Sequence, residues 1–462
     1  MRTDTCARWS VFALHAGHTG ARSFPAAACL RAARRAAFAI LAALAFGPSP
    51  AAAVPADSST VAELDRKVEV LTREIENLRM GEAAVPAPYE SQRGFAPAAS
   101  KVYGVRGGVS IGGYGEVVLQ AWDARREDDA RSGRLPQTDV LRQILYLGYK
   151  FNDEVLVNSE IEVEHAGTGG APLGGEVSVE FAYVDWSRDP RIGVRAGMVL
   201  APVGLVNELH EPPVFIGATR SDVESVIIPT TWRVNGAGIF GELPGGVSYR
   251  AYVSEGLDAR KFTASSPLRG GRQKGSRAKA TKPALSARVD YSSPLGFTVG
   301  ASGYRGDSWQ DAQPDSLRLS PVTTLVEAHA TFQRAGFDAR ALFVRGMLDD
   351  AGPLSDALGL AGASRLGESY HGFYVEGAYD VLPLLMPGTA YALAPYARYE
   401  MLDTQESVPG GTENPAHEQT VLTFGAAFRP HPNVVLKGER QQRGNEAETA
   451  TSQWNLQVGW LF

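Results

Sequence analysis

Four arginines, Arg195, Arg233, Arg250 and Arg288, fall on the polar face of four consecutive alternating stretches. Five glutamates, Glu116, Glu160, Glu162, Glu164 and Glu180, fall on the polar face of three earlier ones. A guanidinium stays charged and offers a planar fork of donors that grips phosphate or carboxylate bidentately. If these stretches are neighbouring strands around a wet lumen, one side of the wall is basic and the adjoining or opposite side acidic. The field between them would order dipolar solutes and bias ions. The alternative is that a water-filled barrel merely exposes charge and pairs it across strands. Further acids with the same parity (Asp290, Glu327, Glu376, Asp380, Glu400, Glu439) count against strict phosphate selectivity.

A second group of polar residues lies on the long connection 201–232: Asn207, Glu208, His210, Glu211, Arg220, Asp222 and Glu224. They are interspersed with Leu205, Val206, Val214, Phe215, Ile216, Val226, Ile227 and Ile228. A water-exposed loop has little use for so many apolar side chains, so this one is expected to pack on the barrel's inside wall as a constriction. Packing over the rim or between subunits is the alternative. The next long connection carries Arg260, Lys261, Arg269, Arg272, Lys274, Arg277, Lys279 and Lys282. It either concentrates anions at the mouth or is a solvated loop pairing with acidic headgroups. The histidines after residue 53 (His165, His210, His329, His371, His417, His431) are scattered. No Ser/His/Asp order, paired-His metal spacing or phosphate-binding Gly loop accompanies them. No enzyme activity, metal or cofactor is expected.

The elements that must position these groups are strands. The chain ends in Trp454-Asn455-Leu456-Gln457-Val458-Gly459-Trp460-Leu461-Phe462, a strict period-two alternation with an aromatic terminus. An apolar face toward lipid, a polar face toward a lumen and aromatic residues at the interface are what a transmembrane strand needs. Like segments occupy 109–122, 140–151, 155–164, 177–186, 192–200, 233–242, 247–254, 284–291, 297–304, 324–333, 337–345, 371–381, 392–401, 421–428, 434–441 and 453–462. Short connections alternate with long ones, the layout of short periplasmic turns and long external loops. The pattern predicts an all-β, 16-stranded antiparallel transmembrane barrel over 109–462, with both ends in the periplasm. No run approaches twenty apolar residues, so no helical span is expected.

Upstream, Arg31, Arg34 and Arg35 precede the apolar run 36–46, which leads to Ala51-Ala52-Ala53. These are the parts of a signal peptide covering 1–53, with 1–29 read as a misassigned start. Cys6 and Cys29 both lie before the cut, and Cys29 weakly resembles a lipoprotein site. Residues 1–53 hold six Arg against one Asp, so the net charge of −6 becomes about −11 after processing and argues against nucleic acid as a partner. Val61, Leu64, Val68, Leu71, Ile75 and Leu78 form a heptad seam, predicting a short periplasmic coiled-coil helix over 54–80 or an amphipathic helix lying on another surface. The Ala/Pro/Gly-rich stretch 81–108 reads as a linker.

Three motifs carry a family resemblance: Val109-Ser110-Ile111-Gly112-Gly113-Tyr114-Gly115-Glu116, Arg195-Ala196-Gly197-Met198-Val199-Leu200-Ala201-Pro202-Val203-Gly204, and Ile227-Ile228-Pro229-Thr230-Thr231-Trp232. Following a coiled-coil segment, they resemble porins of the phosphate-selective O/P type from about residue 60 to the end. The resemblance implies a homotrimeric outer-membrane channel with an arginine-lined, anion-binding pore, in contact with outer-membrane lipid. The loop at the ordinal position of 201–232 would fold inward, and small hydrophilic or anionic solutes would pass by diffusion. The closing strand also resembles those of bacterial outer-membrane proteins whose terminal Phe is read by the barrel-assembly machinery, a role that falls to Phe462. The competing expectation is a structural anchor whose coiled coil binds periplasmic partners.

Overall fold

The computed structural model describes residues 63, 66–70, 72, 91–168, 174–311 and 319–462. Sixteen strands each pair antiparallel with their chain neighbours, and the first pairs with the last to close the barrel. They are β1 (Gly108–Trp122), β2 (Gln137–Lys150), β3 (Val155–Glu164), β4 (Val177–Asp189), β5 (Ile192–Leu200), β6 (Arg233–Leu243), β7 (Val247–Glu255) and β8 (Pro283–Ser292). The second half comprises β9 (Phe297–Asp307), β10 (Val322–Arg334), β11 (Phe337–Leu348), β12 (Ser369–Tyr379), β13 (Ala392–Ser407), β14 (Glu418–His431), β15 (Val434–Asn445) and β16 (Gln453–Leu461).

Parity explains the wall. On β16, Trp454, Leu456 and Val458 stand outside, Trp454 being 54% exposed, while Asn455 and Gln457 point inward and are buried. Val109, Ile111, Leu145, Leu147, Val184, Trp186, Phe343, Leu422 and Phe424 add to the same outer surface. Leaving that much apolar area in water would cost about 25 cal/mol per Å², so the surface suits hydrocarbon. Closure leaves no strand edge unpaired, the condition for spanning lipid.

Every expected strand is present, and the long-short rhythm of the connections holds as far as β12. The β12–β13 connection, 380–391, is then longer than 408–417 and 446–452, which the rhythm makes the long ones. Several strands run further than expected at the long-loop end: β13 reaches Ser407, and β14 begins at Glu418. The apolar alternation stops where lipid would stop, but backbone pairing continues past it with polar side chains on both faces. A bulge sits where Glu160 pairs with Phe181 and Ile161 with Val179. Glu180 is the unpaired extra residue, and both it and Phe181 are turned inward and buried. Bulges re-aim side chains in this way.

Two N-terminal expectations fare differently. Of the heptad seam only Val68 is described; it is helical and exposed, and the other seam positions, like the signal region 1–53, lie outside the described residues. The described residues 63, 66–70 and 72 are helical, with a Lys67–Glu63 ion pair at 3.0 Å. The stretch 81–108 was expected to be a linker, but from residue 91 onward it is folded. It forms a Gln92–Phe95 bridge and a single helical turn, α1 (Lys101–Gly104), and it buries Phe95, Ala96, Ala98, Ala99, Ser100 and Val102. Small residues that resemble a linker in sequence are also what a narrow gap inside a barrel can hold.

Candidate functional site

The lumen is occupied by two chain segments. Loop 201–232 crosses it, and segment 91–104 lies between that loop and the wall. The loop's base is closed by Asn207: its Oδ1 accepts from Trp232 N (2.7 Å), and its Nδ2 donates to Ala201 O (2.6 Å). A five-residue π-helical turn, Val223–Ile227, packs Val223 and Ile227 into the same apolar core as Val203, Leu205, Ile228 and Trp232. The apolar residues that made the loop implausible as a water-exposed segment are thus its anchor.

Polar ties hold the loop around most of the ring. Glu208 meets Arg250 of β7 at 3.1 Å, and Glu211 accepts from Ala98 N and Ala99 N (3.0 and 2.9 Å). Glu224 accepts from Val206 N and from Tyr374 OH of β12, both at 2.6 Å. Asp222 pairs with Arg443 of β15, and its own N–H donates to Glu400 Oε2 of β13 at 2.7 Å. Arg220 donates to His210 O (3.3 Å). Lys437 of β15 donates to the carbonyls of Pro212, Phe215 and Gly217 (2.6, 2.6 and 2.7 Å). From the next long connection, Arg269 and Arg272 both reach Thr230 O (3.1 and 2.7 Å). Burial pushes the carboxyls of Glu211 and Glu224 up to about 7. Burial, reinforced by Arg220, pulls the His210 imidazolium down to about 4.

All four expected arginines face inward, and each has an acidic partner. Arg195 forms a bidentate pair with Asp185 (2.7 and 2.8 Å), bonds Tyr103 OH and Tyr252 OH (2.8 and 3.1 Å), and is 1% exposed. The rings of Phe95, Tyr183 and Phe240 lie 4.4–4.7 Å from its guanidinium carbon. Arg233 pairs with Glu180 at 2.6 Å. Arg250 and Arg288 share Asp290 at 3.0 and 2.8 Å. On the acidic side, Glu116 pairs with Arg142 at 2.7 Å, and Glu160, Glu162 and Glu180 are buried, whereas Glu164 is half-buried at the rim. The basic and acidic arcs exist, but they interlock through partners rather than facing each other across open water.

Some residues at the centre of this arrangement escape a motif reading. Lys437 lies on an inward position that strand parity could have supplied, whereas Tyr183 and Asp185 face inward only because the β4 bulge shifts the alternation after Glu180. Phe95 and Tyr103 carry no periodic signal, because the bridge and single helical turn that hold them are too short to repeat. Toward the short-turn end, below the loop, a cavity of about 560 Å³ is lined by Arg93, Glu208, Arg250, Arg288, Asp290 and Arg340, among others.

No family model matches the chain. Among solved structures it is similar to the outer-membrane channel DcaP of Acinetobacter baumannii (TM-score 0.51, 13% identity, 77% of this chain and 97% of that one). It is equally similar to Salmonella typhi OmpF in complex with daunomycin (TM-score 0.51, 12% identity, 77% and 98%). These likenesses establish the sixteen-stranded fold of outer-membrane porins. The phosphate-selective O/P grouping receives no such support. In sequence the chain is 38% identical over 389 residues to an uncharacterized protein of Aquifex aeolicus (strain VF5), covering 82% of this chain and 86% of that protein. The chain belongs to the same family as that Aquifex protein.

Proposed function

We propose that the protein is an outer-membrane porin admitting small hydrophilic solutes by passive diffusion, with passage limited by loop 201–232. One observation carries the reading: a closed barrel with an apolar exterior holds, across its lumen, a loop tied by charged side chains from many strands. Rings of charged side chains are what channel constrictions are built from. Anion preference, if present, does not come from bare arginines in the pore, since Arg195, Arg233, Arg250 and Arg288 are each matched by a carboxylate. The barrel sits in outer-membrane lipid as a homotrimer, and Phe462 serves as the signal for the assembly machinery.

The filled lumen favours a second reading, that of a structural anchor whose N-terminal helix engages periplasmic partners. Single-channel recording in planar bilayers separates the two. Stepwise conductance is expected, with a reversal potential near zero or cation-leaning in a salt gradient. Insertions that never conduct would remove the porin reading and leave the anchor, and strong anion selectivity would return the arginines to the pore.

A further inference from the structure

We infer that His210, Glu160 and Glu180 form a binding site for a borderline divalent cation of the Zn²⁺ class, clasping loop 201–232 to the wall between β3 and β4. The three side chains come from a loop, a strand and a bulge, and their nearest ligand atoms lie within 4.8 Å of one another. His210 Nε2 is 3.2 Å from Glu160 Oε1 and 3.7 Å from Glu180 Oε2. A tetrahedral ion with ligand bonds of about 2.0–2.2 Å sets its donors roughly 3.3–3.6 Å apart, so these separations bracket what such an ion requires.

The tautomer strengthens the case. His210 Nδ1–H donates to Asn207 O at 2.9 Å, which leaves Nε2 as the ring nitrogen bearing a lone pair. That lone pair faces two carboxylate oxygens at a fully buried point, an arrangement that repels unless a cation or a shared proton lies between. A second observation agrees with it: Glu160 Oε2 and Glu180 Oε2 are buried and have no hydrogen-bond partner. Buried polar atoms are rarely left so.

Charge points the same way. Glu116 is matched by Arg142, and Glu180 by Arg233 through its other oxygen, Oε1. Among the described residues, Glu160 and Glu162 have no Lys or Arg within ion-pair distance. Arg220 lies nearby but gives its guanidinium to His210 O. A dication offsets the surplus negative charge, and two carboxylates with one imidazole form an N/O donor set suited to Zn²⁺. The bulge leaves Glu180 unpaired on the inner face beside Phe181, and this completes the trio.

The proposal rests on no assumption about solute passage. Its test uses the untagged full-length chain, refolded from one denatured stock with or without Zn²⁺, passed through gel filtration and analysed for metal. The folded wild type should retain one Zn²⁺ per chain, and Glu160→Gln and His210→Gln should each weaken retention beyond about 100-fold, the upper end for losing an outer-shell partner. Refolded wild type without metal would mean that the groups share a proton instead, and the site is withdrawn. Equal retention in folded variants would locate the metal elsewhere and is equally fatal. Should the variants not refold, Co²⁺-loaded wild type decides. An intense visible band marks a four-coordinate, imidazole-bound ion, and its absence overturns the assignment.

Discussion

Arg195 donates along one edge to Asp185, gives its remaining donors to two tyrosine hydroxyls and is covered by three rings. A guanidinium this enclosed acts as a joint between β4, β5, β7 and segment 91–104, not as a landing site for a passing anion. Burying such a pair gains little net stability, but removing one partner strands a charge and costs about 3–5 kcal/mol. Asp185→Asn should therefore lower the temperature at which the folded barrel opens markedly. Asp189→Asn offers the control: its Arg191 pair lies on an exposed turn, where solvent screens the charges and little stability depends on them. Unfolding followed by electrophoretic mobility of heated and unheated samples gives both shifts, and equal shifts would show that Arg195 is not the joint described. The same pairing limits what sequence could say at this scale. Parity assigns Arg195, Arg233, Arg250 and Arg288 to the inner face, but it is silent on which acid each one meets. Asp185 is separated from Arg195 by a turn, whereas Glu208, partner of Arg250, lies on a distant loop.

Loop 201–232 carries the buried acids Glu208, Glu211 and Glu224, and the last two give its seat a pH dependence. Glu211 holds the N–H groups of Ala98 and Ala99, and Glu224 holds the Val206 N–H and the Tyr374 hydroxyl. Burial raises both carboxyls to about 7 from an ordinary value of about 4.3. When the loop is released its carboxyls ionise at the lower value, so the released state binds fewer protons between the two pH limits. The seat is therefore fully stable below about pH 4.5, weakens as pH rises toward 7, and changes little beyond that. Amide hydrogen exchange of residues 205–228 should speed up over that window, once corrected for intrinsic chemistry, and Glu211→Gln with Glu224→Gln should flatten the trend. An unchanged slope in the double variant would assign the pH effect elsewhere. The loop was legible because an apolar composition is incompatible with an exposed position, and the sixteen strands because alternation and turn spacing are local properties. The packed segment 91–104 was not. Its burial depends on Ala98 and Ala99 meeting a carboxylate more than a hundred residues away, which no local pattern encodes.

Closure at the β1–β16 seam makes the barrel one cooperative object. The register runs from Tyr114–Leu461 to Trp122–Gln453, and beyond it Gly113 and Phe462 exchange both backbone hydrogen bonds (3.0 and 2.9 Å). The seam explains the glycines of β1. A Cβ on Gly113 would come within 2.6 Å of the Phe462 ring and 2.3 Å of Ile144 O, and one on Gly115 within 2.3 Å of the Trp460 ring. Glycine there makes room for the terminal aromatic residues on the outer face. On the proposed function Phe462 has two separable roles, a ring that packs on the seam and a terminal residue offered to the assembly machinery. Phe462→Ala keeps both backbone bonds and loses only the ring, so spontaneous refolding into lipid vesicles should fall modestly while the assembled fraction in cells falls several-fold. Gly113→Val obstructs the seam itself and should depress both to a similar degree. Folded fractions read by heat-dependent mobility in the two settings provide the comparison. Parallel losses for Phe462→Ala would reduce the residue to a packing element and remove its role as a signal.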